Sequence, residues 1–275
     1  MKSPTPLWLF DLDNTLHDAS HAILPAIHDN MNAFLAQTLG SDGQSASAEL
    51  VNHTRNLYWK RYGATLLGMM KHHDVKPAAF LEAAHRFTDL PAMLRFERGL
   101  ARLLKRLPGK KILLTNAPYR YSRDVLCHLG LHQHFARHIA IESMWVHRQL
   151  RPKPSKALLR KLLARHKVPA RRCILVEDTC SALKSAKSLG MRTVWITQYL
   201  SGTGQLSPRL QQQRMQGLAA TETGRDMPAQ APGTNRPGPH RRSCASAPRV
   251  RGVQAVDVQL KSVRQLPRHL SRLTA

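Results

Sequence analysis

Three short apolar runs, each ending abruptly in polar residues, constrain this chain most. Residues 7–10 (LWLF) lead into Asp11 and Asp13, the run in KILLTNAP into Thr115 and Asn116, and the run in CILVEDT into Glu177 and Asp178. A short run without polar alternation suits a strand buried on both faces, as in a parallel sheet. Helix-periodic segments separate the later runs, and the short connections imply right-handed crossovers. The expected fold class is therefore α/β with a parallel sheet. In such sheets ligands collect outside the carboxyl ends of the strands, where these polar residues fall.

Side chains alternate along a strand, so Asp11 and Asp13 share one crevice if the extended form persists. Two close carboxylates repel, and a bound cation such as Mg²⁺ relieves that. Taken alone, DLDNT reads equally well as a turn and helix N-cap, because Asp, Asn and Thr all serve there. Thr115 and Asn116 alone read as a turn. Glu177 and Asp178 read as a surface pair, and Lys153, between two prolines in RPKP, as a solvated charge. Together the four segments set acid, hydroxyl and amide, lysine, then acid in one order, three of them at strand ends.

That order resembles the haloacid dehalogenase superfamily, whose four motifs are DxD, Thr or Ser, Lys, and an acidic pair. The resemblance spans about the first 200 residues and the last 20 or so. It implies a parallel Rossmann-like core with a helical cap inserted after the first strand. It implies that Asp11 is a nucleophile that forms an aspartyl-phosphate. Asp13 would protonate the leaving oxygen and then activate water. Thr115 and the Asn116 backbone would donate to the phosphoryl oxygens, and Lys153 would bring positive charge to the phosphate and the nucleophile. Mg²⁺ would be held by the Asp11 carboxylate, the Asp13 main-chain carbonyl and Asp178, with Glu177 one step removed or acting through water. One departure stands out. Many members carry an acid or amide four positions after the metal-binding Asp, and here that position is Ala182. The segment YWKRYGATLLGM, with Tyr58, Tyr62 and Gly63, resembles the pyrimidine 5'-nucleotidase-like branch, although aromatics at helical spacing also serve as packing.

The expected organisation is a hydrolase core from residues 1–16, 97–200 and 253–275, with a helical cap from 17–96. Residues 201–252 read as a disordered low-complexity insertion, rich in Pro, Gly, Ser and Arg and unable to bury enough apolar surface. Within the cap, helices are expected over 22–39, 46–62, 65–73 and 77–87. Core helices are expected over 97–107, 121–129, 155–166 and 181–189, and strands over 111–114, 138–141, 173–176 and 193–196. AVDVQL then reads as a strand, and KSVRQLPRHLSRL as a terminal helix broken near Pro267. His17 falls near the expected cap hinge. His72 and His73, being adjacent, are not expected to share a helix face as ligands.

The chain carries 42 Lys and Arg against 17 Asp and Glu, a net charge of +25 at pH 7. Such a balance invites a polyanionic partner. Yet no helix-turn-helix spacing, RNP-like run or zinc pattern is present, and 5% aromatics is too few for an obvious stacking platform. Specific nucleic-acid binding is not expected; a basic surface would instead steer anionic phosphate esters. A length of 275 residues allows one or two domains with a sizeable core. No apolar run is long enough to span a membrane, the start lacks a signal-peptide apolar region, and Cys127, Cys173, Cys180 and Cys244 show no metal-type spacing. A cytoplasmic location is expected, and the oligomeric state is left open. The leading expectation is a Mg²⁺-dependent phosphatase acting on a small phosphate ester, foremost a pyrimidine nucleoside 5'-monophosphate. A phosphoglycolate phosphatase or phosphosugar mutase with the same site is the enzymatic alternative. A polyanion- or RNA-binding protein on this fold is the alternative of another class.

Overall fold

A computed structural model describes residues 5–200 and 256–274. The first strand, β1 (Leu7–Phe10), is buried at every position, as an all-apolar strand must be when both sheet faces are covered. Five helices follow before the core resumes: α1 (Ile23–Leu39), α2 (Ala48–Tyr62), α3 (Thr65–His72), α4 (Pro77–Ala84) and α5 (Leu90–Met93). Then come α6 (Leu100–Arg106), β2 (Lys110–Leu114), α7 (Tyr119–His128), β3 (Arg137–Ile139) and a small hairpin, β4 (Trp145–Val146) with β5 (Gln149–Leu150). The chain continues through α8 (Lys156–His166), β6 (Cys173–Glu177), α9 (Cys180–Lys187), β7 (Arg192–Ile196) and β8 (Val258–Leu260). A 3₁₀ segment, Val263–His269, and α10 (Leu270–Thr274) close it.

Six strands pair in the order β3-β2-β1-β6-β7-β8, and every pairing is parallel. The fold is an α/β, Rossmann-like one. From β1 the chain first builds outward through β2 and β3, then returns to build the other side from β6. The reversal falls between β1 and β6, and it opens a crevice at their carboxyl ends. Register places the polar residues level there: Phe10 pairs with both Leu113 and Val176, so Asp11 and Glu177 leave the sheet side by side. One sheet face is a single cluster of Trp8, Phe10, Leu113, Ile174 and Val176 with Leu100 and Leu104 of α6 and Val125 and Leu126 of α7. On the alternate positions Leu9, Ile112 and Leu175 are buried as well, and α9 packs against β6 and β7.

The inserted helices pack chiefly as α1 with α4 and α2 with α3. Phe34 and Phe80 meet edge to face at 5.4 Å across the first pair. In the second pair Gly68 lets α3 lie directly on the Tyr58 ring; a Cβ there would stand 2.1 Å from Tyr58 Cγ. Glycine weakens a helix interior, so this close approach explains its placement.

Several boundaries move for local reasons. The helix expected over 77–87 stops at Ala84, because His85 leaves helical geometry and its Nδ1 bonds the Leu81 carbonyl at 3.0 Å. α5 is an addition, started by Asp89, whose carboxylate accepts from the Ala92 N–H. The β4–β5 hairpin is another. Its turn residues His147 and Arg148 both take positive φ without the usual Asn or Gly, so its signal is missing from the sequence. The last strand returns to the sheet edge through Asp257, whose carboxylate accepts from Thr193 N–H and Oγ1 and pairs with Lys187. The insertion read over 201–252 lies outside the described residues.

Candidate active site

The crevice begins with the backbone of β1. Asp11 continues the sheet by donating its N–H to the Val176 carbonyl at 3.0 Å, which sets its carboxylate at the strand end. The chain then turns. Asn14 takes φ +57, a conformation Asn tolerates, and its side-chain oxygen accepts from the Ala19 and Ser20 backbones and the Ser20 hydroxyl. That tie fixes the loop carrying Asp11, Asp13 and Thr15. The Thr15 hydroxyl donates to Asp11 Oδ2 at 3.1 Å.

Lys153 reaches the same point from 142 residues away in sequence. Its Nζ donates to Asp11 Oδ1 at 2.5 Å and to Glu177 Oε2 at 2.7 Å. All three groups are buried. The Asn116 side chain grips the Lys153 backbone twice, donating to its carbonyl at 3.0 Å and accepting from its N–H at 2.9 Å. Thr115 is buried at the end of β2 and its hydroxyl accepts from the Ala117 N–H. Asp178 is placed by the Thr179 hydroxyl on its carboxylate and by the Trp195 indole on its carbonyl.

Burial pushes the Asp11 carboxyl up to about 7, with Glu177 adding to the rise and Lys153 opposing it. Burial likewise lifts Glu177 to about 7, against the pull of Lys153. Burial and then Asp11 lift Asp178 to about 6. Burial works against the Lys153 charge, but Asp11 and Glu177 overcome it and hold the ammonium above its ordinary range. One lysine thus faces three carboxylates. Oxygens of Asp11, Glu177 and Asp178 lie within 4.8 Å of one another, and their excess negative charge and hard oxygen donors fit Mg²⁺. Ala182 lines the same cavity, whose volume is about 210 Å³, and brings only a methyl group to it.

Asp13 has different surroundings. Its carboxylate stands outside that acidic cluster, accepting from the Tyr121 hydroxyl at 2.6 Å and lying 2.9 Å from His17 Nε2. Burial alone would raise its pKa, but the bonds from His17 and Tyr121 hold it below the ordinary carboxylate value. Tyr121 moves the other way, well above its usual value through burial and the neighbouring Asp13 charge, so it remains a donor. The two motif aspartates are thereby separated in proton affinity: in the unliganded chain burial favours a proton on Asp11, while His17 and Tyr121 keep Asp13 ionised.

All seven residues singled out from the sequence line this cavity: Asp11, Asp13, Thr115, Asn116, Lys153, Glu177 and Asp178. His17 is fully buried, with Nδ1 lacking a partner among the described residues. Tyr121 has no sign in the sequence, because a tyrosine in an amphipathic helix reads as packing. Tyr58 and Tyr62 lie elsewhere. They bond His73 at 2.7 Å and His72 at 2.6 Å and line no part of the strand-end cavity. His73 is the non-helical residue ending α3, with φ −131, and both imidazoles pack on the Tyr58 ring.

Residues 8–196 match the family of haloacid dehalogenase-like hydrolases. The chain belongs to that family. Its fold is similar to that of a HAD phosphatase from Thermococcus onnurineus, with a TM-score of 0.54 and 19% identity over 97% of this chain and 98% of that one. It is also similar to a haloacid dehalogenase-like protein of unknown function from Agrobacterium tumefaciens, with a TM-score of 0.51 and 15% identity over 99% of this chain and 100% of that one. Among the described residues no helix of this hydrolase is long and apolar enough to cross a membrane.

Proposed function

We propose that this hydrolase is a phosphatase that cleaves a small phosphate monoester through an aspartyl-phosphate on Asp11. The observation that carries the proposal is the division of labour between two aspartates two residues apart. Asp11 sits with Lys153, Glu177 and Asp178, while Asp13 sits apart on Tyr121 and His17. The Lys153 ammonium beside Asp11 favours its nucleophilic carboxylate against burial, and Asp13, ionised and bonded through one oxygen, can accept a proton at the other.

In this reading the ester's monoanion first passes its P–OH proton to the ionised Asp13; the Asp11 carboxylate then attacks phosphorus as the ester P–O bond breaks, and Asp13 gives that proton to the departing oxygen. Asp13 then takes a proton from the water that hydrolyses the acyl phosphate. Lys153 holds Asp11 in line and balances charge on the phosphoryl group. Thr115 and the Asn116 backbone donate to the phosphoryl oxygens, while the Asn116 side chain keeps Lys153 in place. Asp11, Asp178, the Asp13 carbonyl and, more remotely, Glu177 would hold Mg²⁺. When bound, that ion would screen the approach of one anion to another.

Residues 17–96 act in this reading as a cap over the core of residues 1–16, 97–200 and 253–275. Leu24 of α1 lines the strand-end cavity, which supports that role. The substrate we favour is a pyrimidine nucleoside 5'-monophosphate, on the resemblance carried by Tyr58, Tyr62 and Gly63. Free Cys127, Cys173 and Cys180 suit a reducing compartment, the cytoplasm. Phosphate release from UMP, CMP, dTMP, AMP, GMP, phosphoglycolate and hexose phosphates, with and without Mg²⁺, tests both levels. Pyrimidine nucleotides should lead purine nucleotides by about tenfold or more in kcat/KM, roughly 1.4 kcal/mol. A lead by phosphoglycolate or a hexose phosphate rejects the nucleotidase reading alone; no release from any ester rejects the phosphatase reading.

A further inference from the structure

Both groups that hold the Asp13 carboxyl bind the same oxygen. The Tyr121 hydroxyl donates to Oδ1, and His17 Nε2 meets that atom as well. Oδ2 has no hydrogen-bond partner among the described residues. A carboxyl pinned at one oxygen presents the other in a single direction, and proton transfer depends on that aim.

Tyr121 has a second set of neighbours at its ring. His85 lies 5.3 Å away and Phe87 5.6 Å away, centroid to centroid. Both come from the helical insertion. His85 ends α4, and its Nδ1 bond to Leu81 fixes the ring to its own helix. Phe87 begins the segment that returns to the core and packs against the central cluster with Leu90 and Met93. Tyr121 itself belongs to that cluster, seated on α7 beside Val125. The junction is not filled. A cavity of about 510 Å³ is lined by Leu81, His85 and Phe87 from one side and by Pro118, Arg120 and Tyr121 from the other. The Tyr121 ring is buried in the core cluster, and the side that borders this cavity is bounded by His85 and Phe87.

We infer that Tyr121 is a positioning residue that makes the aim of Asp13 depend on the seating of the helical insertion. With His85 and Phe87 against its ring, its hydroxyl holds Oδ1 and leaves Oδ2 facing the leaving oxygen. When those two rings move away, the tyrosine gains freedom and the acid loses its direction. The inference rests on the reading of Asp13 as the acid for the leaving group.

The test uses leaving groups of different need. An aryl ester such as p-nitrophenyl phosphate expels a stable anion and requires little protonation, whereas the alkyl ester UMP requires much. Single-turnover release of each leaving group is measured for the full chain, Tyr121→Phe, Phe87→Leu and the double variant. Tyr121→Phe should lower the ratio of UMP to aryl rates at least about tenfold, a part of the roughly 10²–10⁴-fold that general acid catalysis supplies. Phe87→Leu should lower the same ratio by less, and the double variant should be no worse than Tyr121→Phe alone, because both act through one bond. Equal losses on both esters would make Tyr121 merely structural and overturn the inference. Additive losses would overturn the link to the insertion. An unsubstituted chain that releases neither leaving group would overturn the phosphatase reading itself, a result distinct from either.

Discussion

Replacing Lys153 with Met should make the stability of this protein strongly pH-dependent. Lys153 bridges Asp11 at 2.5 Å and Glu177 at 2.7 Å, all three buried. At an effective dielectric of about 20, each ion pair is a gross attraction of roughly 6 kcal/mol. Much of that offsets the cost of taking the ammonium out of water. Removing one partner of a buried pair therefore costs about 3–5 kcal/mol net. The carboxyls can escape the cost by keeping protons. With Lys153 present and pulling them down, Asp11 and Glu177 already stand at about 7, against ordinary values of 3.8 and 4.5. Without it they rise further. A carboxyl whose folded-state pKa is raised binds its proton more readily when folded. Its stability is complete below the ordinary value and is lost as pH rises toward the folded value. The variant should thus match its parent near about pH 5 and fall behind above about pH 8. For a folded unit of this size the deficit is roughly 10 °C in Tm. Thermal melts followed by circular dichroism in chelator, at both pH values, give the answer. An equal gap at the two pH values, or no gap at the higher one, would refute the reasoning.

Other outcomes follow from the same geometry. Asp13→Asn should slow turnover about 10²–10⁴-fold while the fold persists; an unchanged rate across leaving groups removes Asp13 from proton transfer. Chelation should stop hydrolysis and Mg²⁺ restore it, and Asp178→Ala should raise the Mg²⁺ concentration required; full activity in chelator would contradict the metal assignment. Gly68→Ala should destabilise the protein by about 1–3 kcal/mol in urea melts, despite the helix propensity of Ala. The added methyl would fall 2.1 Å from the Tyr58 ring carbon. A more stable variant would mean that α3 does not rest on that ring.

The sheet is legible in the sequence because a strand covered on both faces tolerates only apolar residues, and such runs are conspicuous at 7–10 and 173–176. Asp11, Thr115, Glu177 and Asp178 are legible for the same reason, being the polar residues at which those runs stop. Lys153 is not legible from residue pattern alone. It comes from a connection between β5 and α8, and only the order of the four motifs singles it out. The Asn116 side chain has no task that the sequence shows, since its clamp on Lys153 joins loops 37 residues apart. Tyr121 is hidden because a hydroxyl bond to Asp13 across 108 residues leaves no periodic trace. The β4–β5 turn is hidden because His147 and Arg148 adopt positive φ without the residues that normally announce it.

The claim that Asp11 is a nucleophile is tested most directly by trapping the covalent intermediate. The protein is mixed with a ³²P-labelled phosphate ester that it hydrolyses, quenched in acid during turnover, and treated with borohydride, which reduces an acyl phosphate to an alcohol. Label that survives acid but is released by hydroxylamine, with a reduced side chain mapped by mass spectrometry to Asp11 and absent from Asp11→Asn, is the predicted result. Turnover without a trapped phosphoenzyme under conditions where its hydrolysis limits the rate, or reduction at any residue other than Asp11, would contradict the account.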